Sequence, residues 1–479
     1  MKRFLASAMG VSIALSACSF GPKGTPPSMP APPHYGALTQ PPKSVMAEGV
    51  SQTFDVGAKP VPDWWKLYGS EPLNALVDEG LRNSPSLAAA DKSLLAAREQ
   101  LRAQIGSSML PTVDLGVQSG RQRALTLPGL GPPTEVYDLF VGQVQAQYTF
   151  DFFGAARLAD RALASQVDSQ AWQLDAARRA LAANIVTGAI GAASLRAQID
   201  TTKRLIVLTN ADARETQRRY ELGSASRIDV QNAQLSSASL AASLPGLRQQ
   251  WLATRHALAV LLGRTPDQAP EDLDLATLAV PASVPVVVPS DLLAARPDIQ
   301  AADALLKVAA AQAGVATAQL FPSLTLTASM GKGGFDWPTT LSAAGALWHV
   351  GASLTQPLFH GGALLAQRRA AYATYDATVL QYKETVLTAF RNVADSLAAL
   401  EQDNEALAMA DTASRASMSV FADSAARVRL GAIPESAGRA SERQYQNARL
   451  TSIRYESARL SDTAVLFQAM GGGLAPAGG

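Results

Sequence analysis

The chain holds one cysteine, Cys18, so an internal disulfide is excluded. Histidine is almost as scarce. His34, His256, His349 and His360 lie far apart and offer no metal-ligand spacing. Neither sign of charge dominates: 41 Lys and Arg stand against 40 Asp and Glu, a formal net charge of +1. That balance argues against nucleic acid as a partner. There is no nucleophile-elbow pattern and no Walker loop, and GKGGF at 331–335 lacks a phosphate loop's spacing. No catalytic, cofactor or metal site is therefore expected, and a secreted hydrolase is disfavoured. Proline is missing from Ala155 to Leu222 and again from Ala363 to Leu430. Each gap permits a helix of about 68 residues, or about 100 Å at about 1.5 Å per residue.

What is present begins with the leader MKRFLASAMGVSIALSACSF. Lys2 and Arg3 precede an apolar run from Leu5 to Leu15 that is too short to span a bilayer. Residues 1–17 read as a signal peptide ending in a lipobox, LSAC, with Cys18 acylated and made the mature N-terminus. Several acyl chains on one residue anchor a protein stably. Ser19 is not the aspartate that retains such lipoproteins in the inner membrane, which favours the outer membrane. Residues 18–62, rich in Pro, Gly and Ser, read as a lipidated strap with little structure of its own.

The rest is two copies of one unit. NSPSLAAADKSLLAAREQLRAQIGSSMLPTVDLGV from Asn83 parallels ARPDIQAADALLKVAAAQAGVATAQLFPSLTLTAS from Ala295, pairing Pro85 with Pro297 and Pro111 with Pro322. YTFDFFGAARLADRA from Tyr148 is aligned with LTQPLFHGGALLAQR from Leu354, and RRYELGSASRIDVQNAQL echoes ARVRLGAIPESAGRASERQYQNARL. The first repeat, 63–280, is expected to hold a helix, strands near 112–121 and 138–150, a long helix at 155–222, a helix at 227–262 and a linker. The second, 281–479, is expected to hold a helix at 298–320, strands near 323–330 and 347–355, helices at 363–430 and 435–470, and a C-terminal tail. A short and a medium helix together match one long helix, so they stack beside it. Strands would leave one end of this rod and glycine turns would close the other.

The strands alternate. Leu324, Leu326, Ala328 and Met330 alternate with Thr325, Thr327 and Ser329. Gln143, Gln145, Gln147 and Thr149 alternate with Val144, Ala146, Tyr148 and Phe150. One oily and one polar face over about ten residues is the pattern of a transmembrane barrel strand. Four strands close no barrel in lipid, a dimer's eight leave little lumen, and a trimer's twelve leave a channel. The loops at 122–137 and 331–346 are expected outside the cell.

These segments resemble the TolC/OprM-like outer-membrane efflux factors, in particular the NodT-type lipoproteins. DWWKLYGSEPLNALVDEGLRNSPSL resembles the family's entry segment, and SDLLAARPDIQAADALLKVAAAQAGVATAQLFPSLTLTASMG its most specific block. The resemblance implies a mixed, mainly-α fold with transmembrane β structure: a trimeric 12-stranded β-barrel continuous with a 12-helix periplasmic α-barrel. It implies a passive exit duct in the outer membrane for small toxic compounds or drugs. A periplasmic adaptor and an inner-membrane RND-type transporter would be its partners. The outer-membrane duct of a type I protein-secretion system is the alternative within the same fold. The two glycine turns are expected to dock the adaptor. In the first, Gly223 follows Leu222 as a helix stop, with Ser226 as N-cap and Asp229 completing a capping box. In the second, Gly431 follows Leu430, and Pro434 at N1 precedes Glu435. Leu430 is the candidate for the closed aperture. The acidic position equivalent to Asp229 falls near Ala437, so the family's acidic ring is not carried over.

Overall fold

The computed structural model describes residues 20–29, 35, 44–47, 50–59, 61–125 and 134–472. Cys18, the signal peptide and residues 126–133 of the first loop expected outside the cell lie outside the described residues. In chain order the strands are β1 Ser44–Ala47, β2 Val50–Val56, β3 Thr112–Leu125, β4 Thr134–Phe150, β5 Ser283–Val286, β6 Ser323–Gly334 and β7 Ala346–Thr355. The helices are α1 Glu71–Asn83, α2 Pro85–Met109, α3 Ala155–Glu221, α4 Arg227–Leu261, α5 Pro289–Ala295, α6 Pro297–Ala318, α7 Trp337–Leu341, α8 Ala363–Arg429 and α9 Glu435–Ala469. Two compact units form, Met1–Ser28 with Ser93–Ala171 and Ala301–Lys383, and Met29–Lys92 with Trp172–Gln300 and Glu384–Gly479. Each unit takes a share of both repeats.

The helices show the repeat directly. α3 and α8 are both 67 residues long, and α4 and α9 are both 35. One offset of 208 carries Ala155 to Ala363, Gly223 to Gly431 and Arg227 to Glu435. This corrects the alignment of Tyr148 with Leu354. The paired aromatic and leucine residues before each long helix suggest a match two residues out of step. The backbone sets it: Gly154 and Gly362, with φ of 79° and 82°, both precede the first helical residue.

In the second unit the core gathers around Trp64, Trp65 and Tyr68, all buried in a 3-10 turn. Trp64 stacks on Phe467 of α9 at 5.3 Å, and the Tyr68 hydroxyl donates to the Leu460 carbonyl at 2.7 Å. Ile185, Val186 and Ile190 of α3 are fully buried in the same unit. Gly80 of α1 lies so close to Ile185 that an added Cβ would sit 2.3 Å from its Cδ1. The medium helices end alike. Gly263 and Gly471 have φ of 76° and 75°, and a Cβ on them would meet Asn83 O at 2.5 Å and Ala295 O at 2.7 Å. Asn83 and Ala295 are themselves the last residues of α1 and α5.

The strap is more structured than expected. β1 pairs antiparallel with β2, and β2 pairs parallel with β5 from the linker between the repeats. Gln52 and Phe54 are buried on β2, as are Val284 and Val286 on β5. The composition of 18–62 concealed this because a strand in a Pro-rich segment is fixed by a partner more than two hundred residues away. In the first unit, Phe20 packs on Phe321 at 4.6 Å, and Gly21 crosses Gly314 of α6 with no room for a Cβ on either.

The packing of α8 against α9 contains a paired acid. Asp403 is half-buried beside Asp462, and burial together with that neighbouring carboxyl pushes the Asp403 carboxyl from 3.8 up to about 7. Between those values the folded chain holds a proton that the unfolded chain has released, so stability falls as pH rises across the window. We expect thermal midpoints of the detergent-solubilised protein to drop from pH 5 to pH 8. Asp403→Asn should flatten that slope and raise the midpoint at pH 8. An unchanged slope in the variant would refute the assignment.

Candidate functional site: a membrane sheet and two helix-turn tips

The four long strands form one antiparallel sheet in the order β3-β4-β6-β7. They run to 14, 17, 12 and 10 residues, so each exceeds its expected span, the last by a single residue. The alternation in the sequence fades after Arg121, but the backbone ladder continues through Leu125 opposite Thr134. The connections within the two hairpins are correspondingly shorter than expected. The second contains α7, which is capped by Asp336.

Register keeps like faces together across the whole sheet. Leu115 lies opposite Val144, Val144 opposite Met330, and Met330 opposite Trp348. On the other face Gln147 lies opposite Thr327, and the Thr149 and Thr325 hydroxyls hydrogen-bond at 3.1 Å. A one-residue slip would invert every side chain. Aromatic residues sit near both ends of the oily face. Tyr148 and Phe150 meet edge to face at 5.0 Å, and Phe140 meets Trp337 at 4.5 Å. The ten residue steps from Phe140 to Phe150, at about 3.4 Å each and a tilt of about 45°, rise about 24 Å, close to the apolar band of a barrel. Among the described residues β3 and β7 each pair with a single strand. Below the strands a cavity of about 1150 Å³ is lined by Phe152, Phe153, Phe321 and Phe359. The described residues contain no group of three metal-ligating side chains.

The two turns share one backbone and differ in chemistry. Gly223 and Gly431 have φ of 73° and 71°. Behind them Ser224 N–H reaches the Arg219 carbonyl at 2.7 Å, and Ala432 N–H reaches Arg427 at 2.9 Å. This is the six-to-one bond that closes a helix on a left-handed residue. Leu222 is 77% exposed and Leu430 83%. Ser226 and Asp229 form a reciprocal capping box: the Asp229 N–H donates to Ser226 Oγ, and the Ser226 N–H donates to the Asp229 carboxylate. The Ser226 backbone and hydroxyl hydrogen bonds hold the Asp229 carboxyl below its usual range. The second turn departs from expectation. Pro434, with ψ of 155°, is the N-cap rather than N1, and Glu435 is the first helical residue. Pro434 has no side-chain donor or acceptor, so this helix start has no capping bond.

Next to the turns, α9 is tied to α3 by ion pairs that neither sequence segment shows alone. Arg439 meets Asp212 at 2.6 Å and also Glu215, Arg443 meets Asp212, and Arg204 grips Glu442 at 2.6 and 2.8 Å. Both helices are polar on many faces, and only the tertiary pairing selects these partners.

An amphipathic sheet with two open edges, continued by very long helices, defines the class: an outer-membrane channel. The comparisons agree. The family model for the outer membrane efflux protein matches residues 76–264 and 288–472, and the chain belongs to that family. It is 28% identical over 470 residues to a pyoverdine export outer membrane protein, OpmQ, of Pseudomonas putida, covering 97% of this chain and 96% of that protein. It is 29% identical over 435 residues to a probable efflux pump outer membrane protein, TtgC, of the same species, covering 88% and 87%. The solved outer-membrane channel OprN superposes with a TM-score of 0.78 at 24% identity, covering 94% of this chain and 99% of that one. The fold class is that of these trimeric channels, with four strands and two repeats per protomer, and the protein is an efflux channel of the outer membrane.

Removing the first cap should loosen one turn only. Ser226→Ala should cost about 1 kcal/mol locally. Amide hydrogen exchange is expected to speed up at residues 227–230 and to stay unchanged at 435–438. Equal acceleration at both turns would show that the box does not act locally.

Proposed function

We propose that this chain is the exit duct of a tripartite pump, passing small toxic compounds delivered by an inner-membrane transporter through a periplasmic adaptor. The family supports the duct. OpmQ is named for export of pyoverdine and TtgC as part of an efflux pump, which favours a small-molecule cargo over a secreted protein. The observation that carries the docking role is the pair of bare tips. Leu222 and Leu430 stand exposed beside glycines at which an added Cβ would meet nothing within 4 Å. In a trimer these make six apolar points of two alternating kinds, and they face the adaptor. Ser226 and Asp229 hold the first helix start behind them, Glu435 opens the second at the tip, and Leu430 lines the aperture when it closes. Neither conduction nor docking needs a catalytic group.

The N-terminus adds an anchor. Acylated Cys18 fastens the mature chain to the lipid of the outer membrane, and Phe20 lies two residues from it on Phe153 and Phe321. Intact-mass measurement should show acyl additions and loss of residues 1–17. Cys18→Ser should reduce targeting while the extracted protein still folds. An unmodified mature mass would reject the anchor.

The docking role is tested by Gly223→Trp and Gly431→Trp. Each places a side chain where φ exceeds +70°, a strained position for any L residue. Each variant should insert in the outer membrane yet lose drug efflux. A cysteine at either position should crosslink to the adaptor. Normal efflux from both variants without a crosslink would show that docking lies elsewhere.

A further inference from the structure

The four membrane strands together hold only three lysines and arginines: Arg121, Arg123 and Lys332. All three stand on the oily face. On β3 that face runs through Leu115 and Val117, and the same alternation carries it on through Ser119 to Arg121 and Arg123. On β6 it runs through Met330, and Lys332 is the next residue on that side. The opposite, lumen face of the four strands has no lysine or arginine. A passage for solutes would have no need of cations turned toward lipid. On a lipid-facing strand a cation is costly at the bilayer midplane and costs little only near the interface.

Their height explains how they are tolerated. Phe140 pairs with Ser119 and packs on Trp337, and these aromatic rings mark one end of the apolar band. Arg121 and Arg123 follow Ser119 by two and four residues, which places them about 5 and about 10 Å beyond that end. Lys332, opposite Gly142, starts just inside the band, but its amine donates to the Leu341 carbonyl at 2.6 Å in the β6–β7 connection. That is the direction a snorkelling lysine takes. The other end of β4 leads through Phe150 into α3 at Ala155. The cations therefore sit at the end remote from the helices, which in an outer-membrane channel with periplasmic helices is the level of the outer-leaflet headgroups.

The nearby acids leave this charge available. Asp138 lies 3.8 Å from Arg121, with side chains 46% and 76% exposed, a loose surface pair of little worth. Arg123 lies opposite Val136 and has no ion pair among the described residues. The Asp336 carboxylate is occupied at the start of α7, where it accepts the Thr339 N–H at 2.7 Å. We propose that Arg121, Arg123 and Lys332 bind the phosphorylated sugar headgroup of the outer-leaflet glycolipid, whose acyl chains lie against Phe140 and Trp337. The two guanidinium groups are about 7 Å apart along β3, a span that one phosphate or two neighbouring ones can bridge. Each offers a planar fork that matches phosphate oxygens in pairs, and the lysine adds a point charge. Adaptor docking has no part in this site, so either can fail without the other.

Native mass spectrometry of the detergent-extracted protein tests the site with three probes. They are lipid A bearing both phosphates, the same lipid A with its phosphates removed, and phosphatidylglycerol. The unaltered protein is expected to retain the bisphosphorylated lipid A and far less of the other two. Arg121→Gln with Arg123→Gln and Lys332→Gln should weaken that retention about 100-fold, each cation at a headgroup being worth roughly a factor of five. A control triple, Lys92→Gln with Arg102→Gln and Arg391→Gln, removes the same charge from exposed positions on α2 and α8 and should bind as the parent does. Equal retention of the phosphate-free lipid would reduce the site to an apolar contact and overturn it. Equal retention of phosphatidylglycerol would show that any anionic lipid serves and would overturn the assignment to the glycolipid. Undiminished binding by the first triple would place the contact elsewhere. If that triple fails to assemble, the comparison of the three lipids on the unaltered protein decides alone.

Discussion

In hydrocarbon an unpaired backbone N–H or C=O finds no water, and each costs several kcal/mol. That one constraint governs the chain. Its membrane sheet has four strands and two open edges, β3 on one side and β7 on the other. A sheet with open edges is soluble-side architecture, while its side chains are arranged for lipid, with Leu115, Val144, Met330 and Trp348 in a row on one face. The two facts are compatible only if other copies cover the edges. Oligomerisation is thus a condition for the sheet to exist in a membrane. The hydroxyls and amides of the opposite face then enclose water, which is what a duct for solutes requires.

The same demand for satisfied backbone groups explains the helix ends. Four helices of the repeats stop at Gly223, Gly263, Gly431 and Gly471, all at positive φ. At each stop the N–H of the residue after the glycine donates to an orphan helix carbonyl, that of Arg219, Ala259, Arg427 or Phe467. Where ends are buried, arginines help. Arg179 donates to the Gly471 carbonyl at 2.5 Å, and Arg296 donates to Ala469 at 2.7 Å. Cations at a helix C-terminus also oppose its dipole. These contacts join α9 to α3 and to the α5–α6 corner, so the ends of the second repeat are fixed by residues of both.

What could be read in the sequence follows from this. The long helices were legible because proline is absent and glycine marks their stops, both local signals. The membrane strands were legible because alternation is local too, although their true lengths were not: past Arg121 only the ladder with Tyr137–Thr134 keeps the strand going. Three features escaped. The small sheet of β1, β2 and β5 joins residues far apart in sequence, and no local pattern announces a partner. The repeats were aligned two residues off before the long helices, because Phe152-Phe153 resembles Leu358-Phe359 while the glycine geometry behind them was invisible. Pro434 was placed at N1, its favoured position, yet the chain needs an extended residue there to turn out of Gly431. Of the site residues, Gly223, Ser226, Asp229 and Gly431 announce their conformation. The ion pairs of Arg439 announce nothing until α3 lies beside α9.

Those ion pairs also show where the two repeats stop being copies. α9 carries Arg439, Glu442 and Arg443, and the equivalent positions of α4 are Gln231, Gln234 and Leu235. Their partners on α3 are Arg204, Asp212 and Glu215, and the equivalents on α8 are Thr412, Val420 and Asp423. Within one chain, then, the contact between α3 and α9 is charged. The equivalent positions of α8 and α4 hold glutamine, leucine, threonine and valine in place of nearly all those charges. The backbone repeats, but the chemistry does not: the contact between α3 and α9 is pinned by partly buried guanidinium–carboxylate pairs, which are directional and hard to rearrange, and residues of α8 and α4 at the matching positions could not form a second such set.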